Sequence, residues 1–269
     1  EDIEQEVGLP VIGIIPMPKE GSSVEAALRD QKSAVAEAYR SLRTSLQFST
    51  PQGLPSSILV TSSMPSEGKS TSTVGIADAL GKIGLKVLLI DADLRNPSLH
   101  KITDVANASG LSNYLAGSVE AEKLVQATPF KSVYALPTGP LPPNPVELLS
   151  SARMQVLLNL TRETFDMVII DGPPVMGLAD APVISSQVDG VFFVIEAGRT
   201  RRGIVADALR RLEFARARLV GCVLNKFDAK SAGYGYGYGY GYSYGYSYGA
   251  ELYGYGRKTQ ALPDGSRNA

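Results

Sequence analysis

Apolar positions along this chain fall into two patterns. Unbroken runs recur at Val11–Ile15, Ile58–Val60, Val87–Ile90, Val133–Leu136, Phe165–Asp171, Val188–Ile195 and Leu219–Asn225. Longer segments with helical spacing lie between them. A strand apolar at every position has both faces covered, as in a parallel sheet between helices. The alternation therefore predicts an α/β fold: a mostly parallel sheet of about seven strands with helices on both faces. Val11–Ile15 sits between Pro10 and Pro16, which predicts an edge strand or an extended arm. Residues 21–32 are polar and read as a loop with some helical character. A helix is expected from Ser33, as N-cap, to Phe48. Val35, Tyr39, Leu42 and Leu46 form its apolar stripe. Shorter helical segments fall at Leu111–Leu115 and after Asn144, an expected N-cap with Pro145 at the first helical position. An arginine-rich helix lies within Arg199–Arg218, its arginines facing water.

The stretch Ile58–Thr71, ILVTSSMPSEGKST, turns this pattern into chemistry. A buried strand leads into a loop of small and polar residues, and Lys69-Ser70-Thr71 opens a helix. This is nearly the P-loop pattern G-x-x-x-x-G-K-[ST], with Ser63 in place of the first Gly. Amides of a tight loop and of a helix N-terminus wrap an anion. Ser63, Met64, Pro65, Ser66, Glu67, Gly68, Lys69, Ser70 and Thr71 would form this cradle. Lys69 adds positive charge at the β- and γ-phosphates, and the Ser70 hydroxyl can ligate Mg²⁺. The bland alternative is an ordinary strand-to-helix turn.

Two further strand ends carry carboxylates. Val87–Ile90 runs into Asp91-Ala92-Asp93-Leu94-Arg95, and Phe165–Asp171 runs into Gly172-Pro173-Pro174. Ligands of open α/β sheets sit beyond such ends. Asp91 and Asp93 there can hold Mg²⁺ or take a proton from a hydroxyl nucleophile. Asp171 fits a Walker B pattern and would hold the metal directly or through water. The alternative for Asp91–Arg95 is a capped turn with a local ion pair. Asn225, ending the last strand, is placed where a loop contacts a nucleotide base. Glu37, Arg40 and Arg43 lie off the apolar stripe as E-x-x-R-x-x-R. They read either as a solvated, paired face or as a contact surface for another subunit.

Composition narrows the classes. The 269 residues carry a net charge of −1, which gives no footprint for nucleic acid. The single cysteine, Cys222, lies in an apolar segment and reads as a core thiol. No apolar run reaches the roughly 18 residues of a membrane span, and no signal peptide is visible. The last segment is different in kind. Tyr234, Tyr236, Tyr238, Tyr240, Tyr242, Tyr244, Tyr246, Tyr248, Tyr253 and Tyr255 alternate mainly with glycine. Such a segment cannot pack as a core strand and reads as a disordered tail. Its tyrosines are candidate phosphoacceptors. Tyr248 lies 18 residues past Lys230; a Gly-rich linker of that length spans roughly 23 Å r.m.s.. The expected organisation is an N-terminal arm over 1–32, a P-loop domain over 33–230 and the tail over 231–269.

Taken together, these segments resemble the cytoplasmic catalytic domains of the bacterial tyrosine kinases (BY-kinases), P-loop kinases attached to exopolysaccharide chain-length regulators. The resemblance rests on the variant P-loop, DADLRNP at Asp91–Pro97, VIIDGPP at Val168–Pro174, EAYRSLR at Glu37–Arg43 and the tyrosine-rich C-terminus. It implies a tyrosine autokinase of P-loop NTPase type using ATP and Mg²⁺. Lys69, Asp91, Asp93 and Asp171 would be its catalytic residues, Asp91 being the base towards a tyrosine hydroxyl. Ser70, Asp91 and Asp171 would serve the metal. Glu37, Arg40 and Arg43 match the motif that builds a ring-shaped homo-oligomer, in which each tail is phosphorylated by the adjacent subunit. Implied partners are a transmembrane activator, upstream in the same chain or separate, a tyrosine phosphatase and the polysaccharide export machinery. The implied location is the cytoplasmic face of the bacterial inner membrane, with this chain itself soluble and Glu1–Ile15 the junction after a membrane segment. The chain departs from the family in three ways. Its tyrosine cluster is unusually regular and Gly-rich. Glu196 stands at a strand end where a basic residue is common, and no Arg/Lys-rich cluster lies near the N-terminus. Two rival readings remain open. A partitioning or septum-site ATPase switch would carry a Lys where Met64 stands. A nucleotide-bound scaffold would use the ring motif without phosphoryl transfer. The absence of H-R-D and D-F-G motifs argues against a eukaryotic-type kinase.

Overall fold

A computed structural model of the chain describes residues 8–48 and 53–228. In chain order the first elements are β1 (Val11–Pro16), α1 (Val24–Arg29), α2 (Ala34–Gln47), β2 (Ser57–Ser62), α3 (Lys69–Lys82) and β3 (Val87–Asp91). The middle holds α4 (Leu99–Thr103), α5 (Leu111–Leu115), β4 (Gln126–Ala127), β5 (Val133–Leu136), α6 (Pro145–Leu149) and α7 (Ala152–Thr164). The last are β6 (Met167–Asp171), α8 (Asp180–Ser185), β7 (Gly190–Glu196), α9 (Arg202–Phe214) and β8 (Leu219–Phe227).

The strands form one sheet in the order β1-β8-β7-β2-β6-β3-β5-β4. Every pairing is parallel except β4 with β5. The apolar runs are explained by what covers them. Leu59, Val168, Ile170 and Phe193 face one core with residues of α5, α7, α8 and α9. Ile58, Val60, Ile169 and Phe192 face the other, with α2 and α3. Successive residues of one strand thus enter opposite cores, so the middle of each central strand is apolar and polar residues such as Ser57 and Ser62 are held to the strand ends.

The α2 helix starts where expected. The Ser33 hydroxyl accepts the Ala36 N–H at 3.0 Å, satisfying one of the first-turn donors. Val35, Tyr39, Leu42 and Leu46 are all buried. Burial of one such leucine stabilises the fold by about 1.5–3 kcal/mol. Their stripe packs on α3, which is buried almost all round. The closest approach is at Gly75, where a Cβ would stand 2.6 Å from the Tyr39 ring. Glycine is what lets α2 and α3 meet there.

Three expectations are corrected in detail. The sheet has eight strands rather than about seven, because two residues, Gln126 and Ala127, pair antiparallel with β5. A two-residue strand carries no alternation to read. Residues 24–29, expected as a loop with some helical character, form α1, capped by the Ser23 hydroxyl on the Ala26 N–H. Asn144 precedes α6 as expected, but its side chain makes no cap hydrogen bond; its amide donates to Glu147 instead. The run at Val11 is an edge strand, parallel to β8 with Val11 opposite Cys222. Cys222 is fully buried in the core. Among the described residues no helix is long and apolar enough to cross a membrane.

Candidate active site

Parallel strands end together, so Ser62, Asp91, Asp171 and Glu196 reach one edge of the sheet. The register sets them side by side, with Asp91 opposite Asp171 and Glu196 opposite Asn225. The loop between β2 and α3 rises from the middle of this edge. Its turn is made at Ser66, with φ 68°, and Gly68, with φ 94°. Ser63, at the first glycine position of the pattern, is not among the residues with positive φ. That explains why a serine is accommodated there. Helical hydrogen bonding in α3 begins with Ser72 N–H donating to Gly68 O at 2.9 Å. The amides of Lys69, Ser70 and Thr71 precede that point and are the orphan donors of the helix start. They are the donors an anion would use.

Lys69 does not point into solvent. Its ammonium donates to Asp93 Oδ2 at 2.8 Å and lies 3.9 Å from Asp171 Oδ1. The three side chains are 9%, 5% and 0% exposed. Asp93 also accepts the Arg95 and Asn96 amides on Oδ1. Asp91 accepts the Asp93 amide at 3.2 Å and the Leu99 amide at 3.1 Å. Neither carboxylate oxygen of Asp171 has a hydrogen-bond partner among the described residues, and neither does the buried Ser63 hydroxyl.

The electrostatics follow from this crowding. Burial, with the Asp171 charge behind it, pushes the Asp91 carboxyl up to about 7, although the Leu99 amide opposes the shift. Burial likewise raises Asp171, against the pull of the Lys69 ammonium. Burial disfavours the charged form of Lys69, but Asp171, Asp93 and Asp91 outweigh it and its pKa is raised. Ser70 Oγ is bonded to Ser98 Oγ at 2.8 Å. Ser70, Asp91 and Asp171 are the oxygen donors available to a hard divalent cation. Among the described residues no three or more His, Cys, Asp or Glu side chains converge as a complete metal cage.

The P-loop is braced from the β7–β8 side. The Glu67 carboxylate is buried inside the loop, where it accepts the Met64 amide at 2.7 Å and the Thr200 hydroxyl. Asn225 Nδ2 donates to Glu67 O at 2.9 Å. Lys226 Nζ donates to Ser66 O and pairs with Glu196. Asn225, the expected base contact, thus has its amide nitrogen engaged with the loop carbonyl. Pro65 and Ser66 lie exposed at the loop tip, and Met64 is 40% exposed. Several of these roles carry no local signal in the sequence. Ser98, Asp180 and Thr200 belong to none of the motifs. Asp180, fully buried at the start of α8, holds Arg95 through two bonds of 2.8 and 3.0 Å. Arg95 thus makes its ion pair across the fold, 85 residues away, and not within Asp91–Arg95 as the capped-turn alternative had it.

On α2, Arg40 pairs with Glu37 and donates to Gln31 O at 3.0 Å. Arg43 donates to Ala79 O of α3 at 3.2 Å. The E-x-x-R-x-x-R residues therefore sit partly exposed on the helix that packs against the P-loop helix. The tail tyrosines, Tyr234 to Tyr255, lie outside the described residues.

Comparison with known proteins supports the geometry. Residues 58–200, which hold the P-loop and both strand-end aspartates, match a family described as an AAA domain. The tyrosine-protein kinase YwqD of Bacillus subtilis is 39% identical over 211 residues, 78% of this chain and 89% of that protein. The tyrosine-protein kinase CpsD of Streptococcus agalactiae is 36% identical over 214 residues, 79% of this chain and 92% of that protein. The kinase domain of the Escherichia coli tyrosine kinase ETK superposes with a TM-score of 0.81 at 32% identity, covering 89% of this chain and 98% of that one. Likeness of this extent, running through the residues that build the cleft, places the chain in the BY-kinase family: it is a bacterial tyrosine-protein kinase on a P-loop NTPase fold.

Proposed function

We propose that the chain is an autokinase. In this reading it transfers the γ-phosphoryl group of ATP, with Mg²⁺, to tyrosines of the Tyr234–Tyr255 cluster on a neighbouring copy. The copies form a ring, and the cycle regulates exopolysaccharide synthesis and export. The observation that carries this reading is the buried Lys69–Asp91–Asp93–Asp171 cluster beside the orphan amides of α3. A lone cation shared by three buried carboxylates leaves the site short of positive charge, and burial raises both the Asp91 and Asp171 carboxyls. A divalent cation held by Ser70, Asp91 and Asp171 would supply that charge and screen the phosphates. The chain's own residues do the rest. The first-turn amides and Lys69 hold the phosphate oxygens, and Lys69 exchanges Asp93 for the transferring group. Asp91, near neutrality, accepts the tyrosine proton as the phenol oxygen bonds to γ-phosphorus and the bond to the β–γ bridging oxygen breaks, releasing ADP. Fixed donors aimed at the spreading charge are the main source of acceleration for this class of reaction.

For assembly, the support is the partial exposure of Glu37 and Arg40. Their mutual pair is open to exchange for the same pair made between copies. Multiple phosphates on one tail, each about −1.5 to −2 charges, would repel neighbouring tails and loosen the ring. A membrane activator, a phosphatase and the export machinery are the partners this reading requires.

Intact mass before and after Mg·ATP, on dephosphorylated protein with Lys69→Met alongside, tests the reading. A ladder of phosphate additions mapping to the tyrosine cluster and absent in the variant is expected. ATP consumed without a mass change would refute autophosphorylation in favour of an ATPase switch. Neither change, even with the activator's cytoplasmic segment added, would favour a scaffold. Transfer between copies is read by mixing tagged Lys69→Met with active chain ending before Tyr234: the tagged copy gains phosphate only if transfer is in trans. Light scattering tests assembly. Glu37→Ala/Arg40→Ala/Arg43→Ala should be monomeric, and heavily phosphorylated protein should dissociate.

A further inference from the structure

The segment from Arg199 to Arg218 departs from the rest of the chain in charge. It holds seven arginines against two acidic residues, Asp207 and Glu213, for a net charge of +5 within a chain of net −1. All seven arginines are exposed. Arg199 pairs with Glu196 and Arg210 with Asp207, which still leaves the segment strongly basic. None of the seven is needed by the proposed chemistry.

The face is not only charged. Val205, Ala208, Leu209 and Leu212 bury one side of α9 against the core. At about 100° per residue, Phe214 falls on the opposite side, between Arg210 and Arg211. It is 92% exposed, the most exposed of the large apolar side chains among the described residues. Beside it, Gly177, Leu178, Ala179 and Pro182 line an open, mainly apolar depression shared with Arg211 and Phe214. An apolar patch ringed by guanidinium groups is the chemistry of the bilayer interface, where aromatic and aliphatic groups sit at the acyl boundary and arginines meet headgroup phosphates.

We propose that this α9 face docks the domain on an anionic lipid bilayer. The arginines are strung along the helix rather than converging on one point: Arg202 and Arg211 are about 13 Å apart along the axis at 1.5 Å per residue. That spread fits an array of headgroups and does not fit a single phosphorylated side chain. Duplex nucleic acid offers no apolar partner for Phe214 or for the depression beside it. The face is separate from the cleft. The C-terminal end of α9 leads directly into the start of β8, so Phe214 lies towards the sheet edge opposite Asp91 and Asp171.

Flotation of the full chain with vesicles decides the matter. Binding is expected to vesicles of phosphatidylcholine and phosphatidylglycerol in equal parts, to be absent with phosphatidylcholine alone, and to weaken as salt rises. Each surface arginine contributes about fivefold in partitioning, so Arg210→Gln/Arg211→Gln should bind about 25-fold more weakly with unchanged thermal unfolding. Phe214→Ser, which leaves every charge in place, should weaken binding several-fold and leave its salt dependence intact. Equal binding to both vesicle types, or full binding by the double variant, would overturn the proposal. So would failure to bind anionic vesicles together with retention on phosphotyrosine resin, which would assign the face to a phosphorylated segment.

Discussion

Lys69→Met separates the charge of this lysine from its bulk, because methionine fills similar volume. The lysine lies 2.8 Å from Asp93 and 3.9 Å from Asp171, with side chains too buried for solvent to screen them. Breaking a buried pair by removing one partner costs about 3–5 kcal/mol. The site has an escape, since Asp91 already titrates at about 7: the variant can bind a proton in place of the lost ammonium. That proton becomes costlier to bind by about 1.4 kcal/mol for each pH unit. The sign follows from linkage. On folding, the variant takes up one carboxyl proton more than wild type does, so its stability relative to wild type falls as pH rises. At pH 8 the variant should be about 3 kcal/mol less stable, lowering Tm by roughly 6–12 °C for a domain of this size. Below pH 7 wild-type Asp91 takes up its own proton, so by pH 6 the gap should have closed by only about 1.4 kcal/mol, to roughly 1.6 kcal/mol. Thermal or urea unfolding of both nucleotide-free proteins at the two pH values measures this. Equal destabilisation at both would refute the argument, because a packing defect does not titrate. A variant more stable than wild type at pH 8 would show that the carboxylates are not ionised there.

Three further outcomes follow from the same geometry. Asp91 must be deprotonated to act as a base, so kcat/KM for tyrosine phosphorylation should fall about tenfold per pH unit on an acid limb that the bound cation shifts below the metal-free value of about 7; Asp91→Asn should cost on the order of 10²–10⁴-fold and abolish that limb. Gly68→Ala meets both a φ of 94° and a contact of 1.9 Å with Asn225 Nδ2; fluorescent-nucleotide titration should show at least tenfold weaker binding, about 1.4 kcal/mol or more, and Asn225→Ala added to it should relieve the contact but not the backbone strain. Gly75→Ala drives a methyl into the Tyr39 ring and should destabilise by about 1–3 kcal/mol in urea unfolding, whereas in a Tyr39→Leu background the same change should be neutral or stabilising by up to about 1 kcal/mol through helix propensity.

The fold was legible because it is written locally. A strand covered on both faces must be apolar throughout, and seven such runs announce seven strands; the eighth, Gln126–Ala127, is defined only by what it pairs with. The P-loop, Asp91-Ala92-Asp93 and Asp171 were legible for a related reason. A phosphate cradle needs contiguous amides, and parallel register carries two separate strand ends to one edge without further instruction. What escaped is what the chain assembles across distance. Asp180 reaches Arg95 over 85 residues and Thr200 reaches Glu67 over 133, and no spacing rule links them. Asn225 shows the limit most clearly. Its place at a strand end was readable, but the direction of its amide is set by the carbonyl of Glu67, which is turned towards it by the left-handed backbone of Ser66 and Gly68. The strained positions lie away from Ser63, the residue that breaks the motif, so the departure strains no backbone, although it leaves the Ser63 hydroxyl buried without a hydrogen-bond partner among the described residues. Conformation, rather than the identity at the first motif position, is what the phosphate site requires.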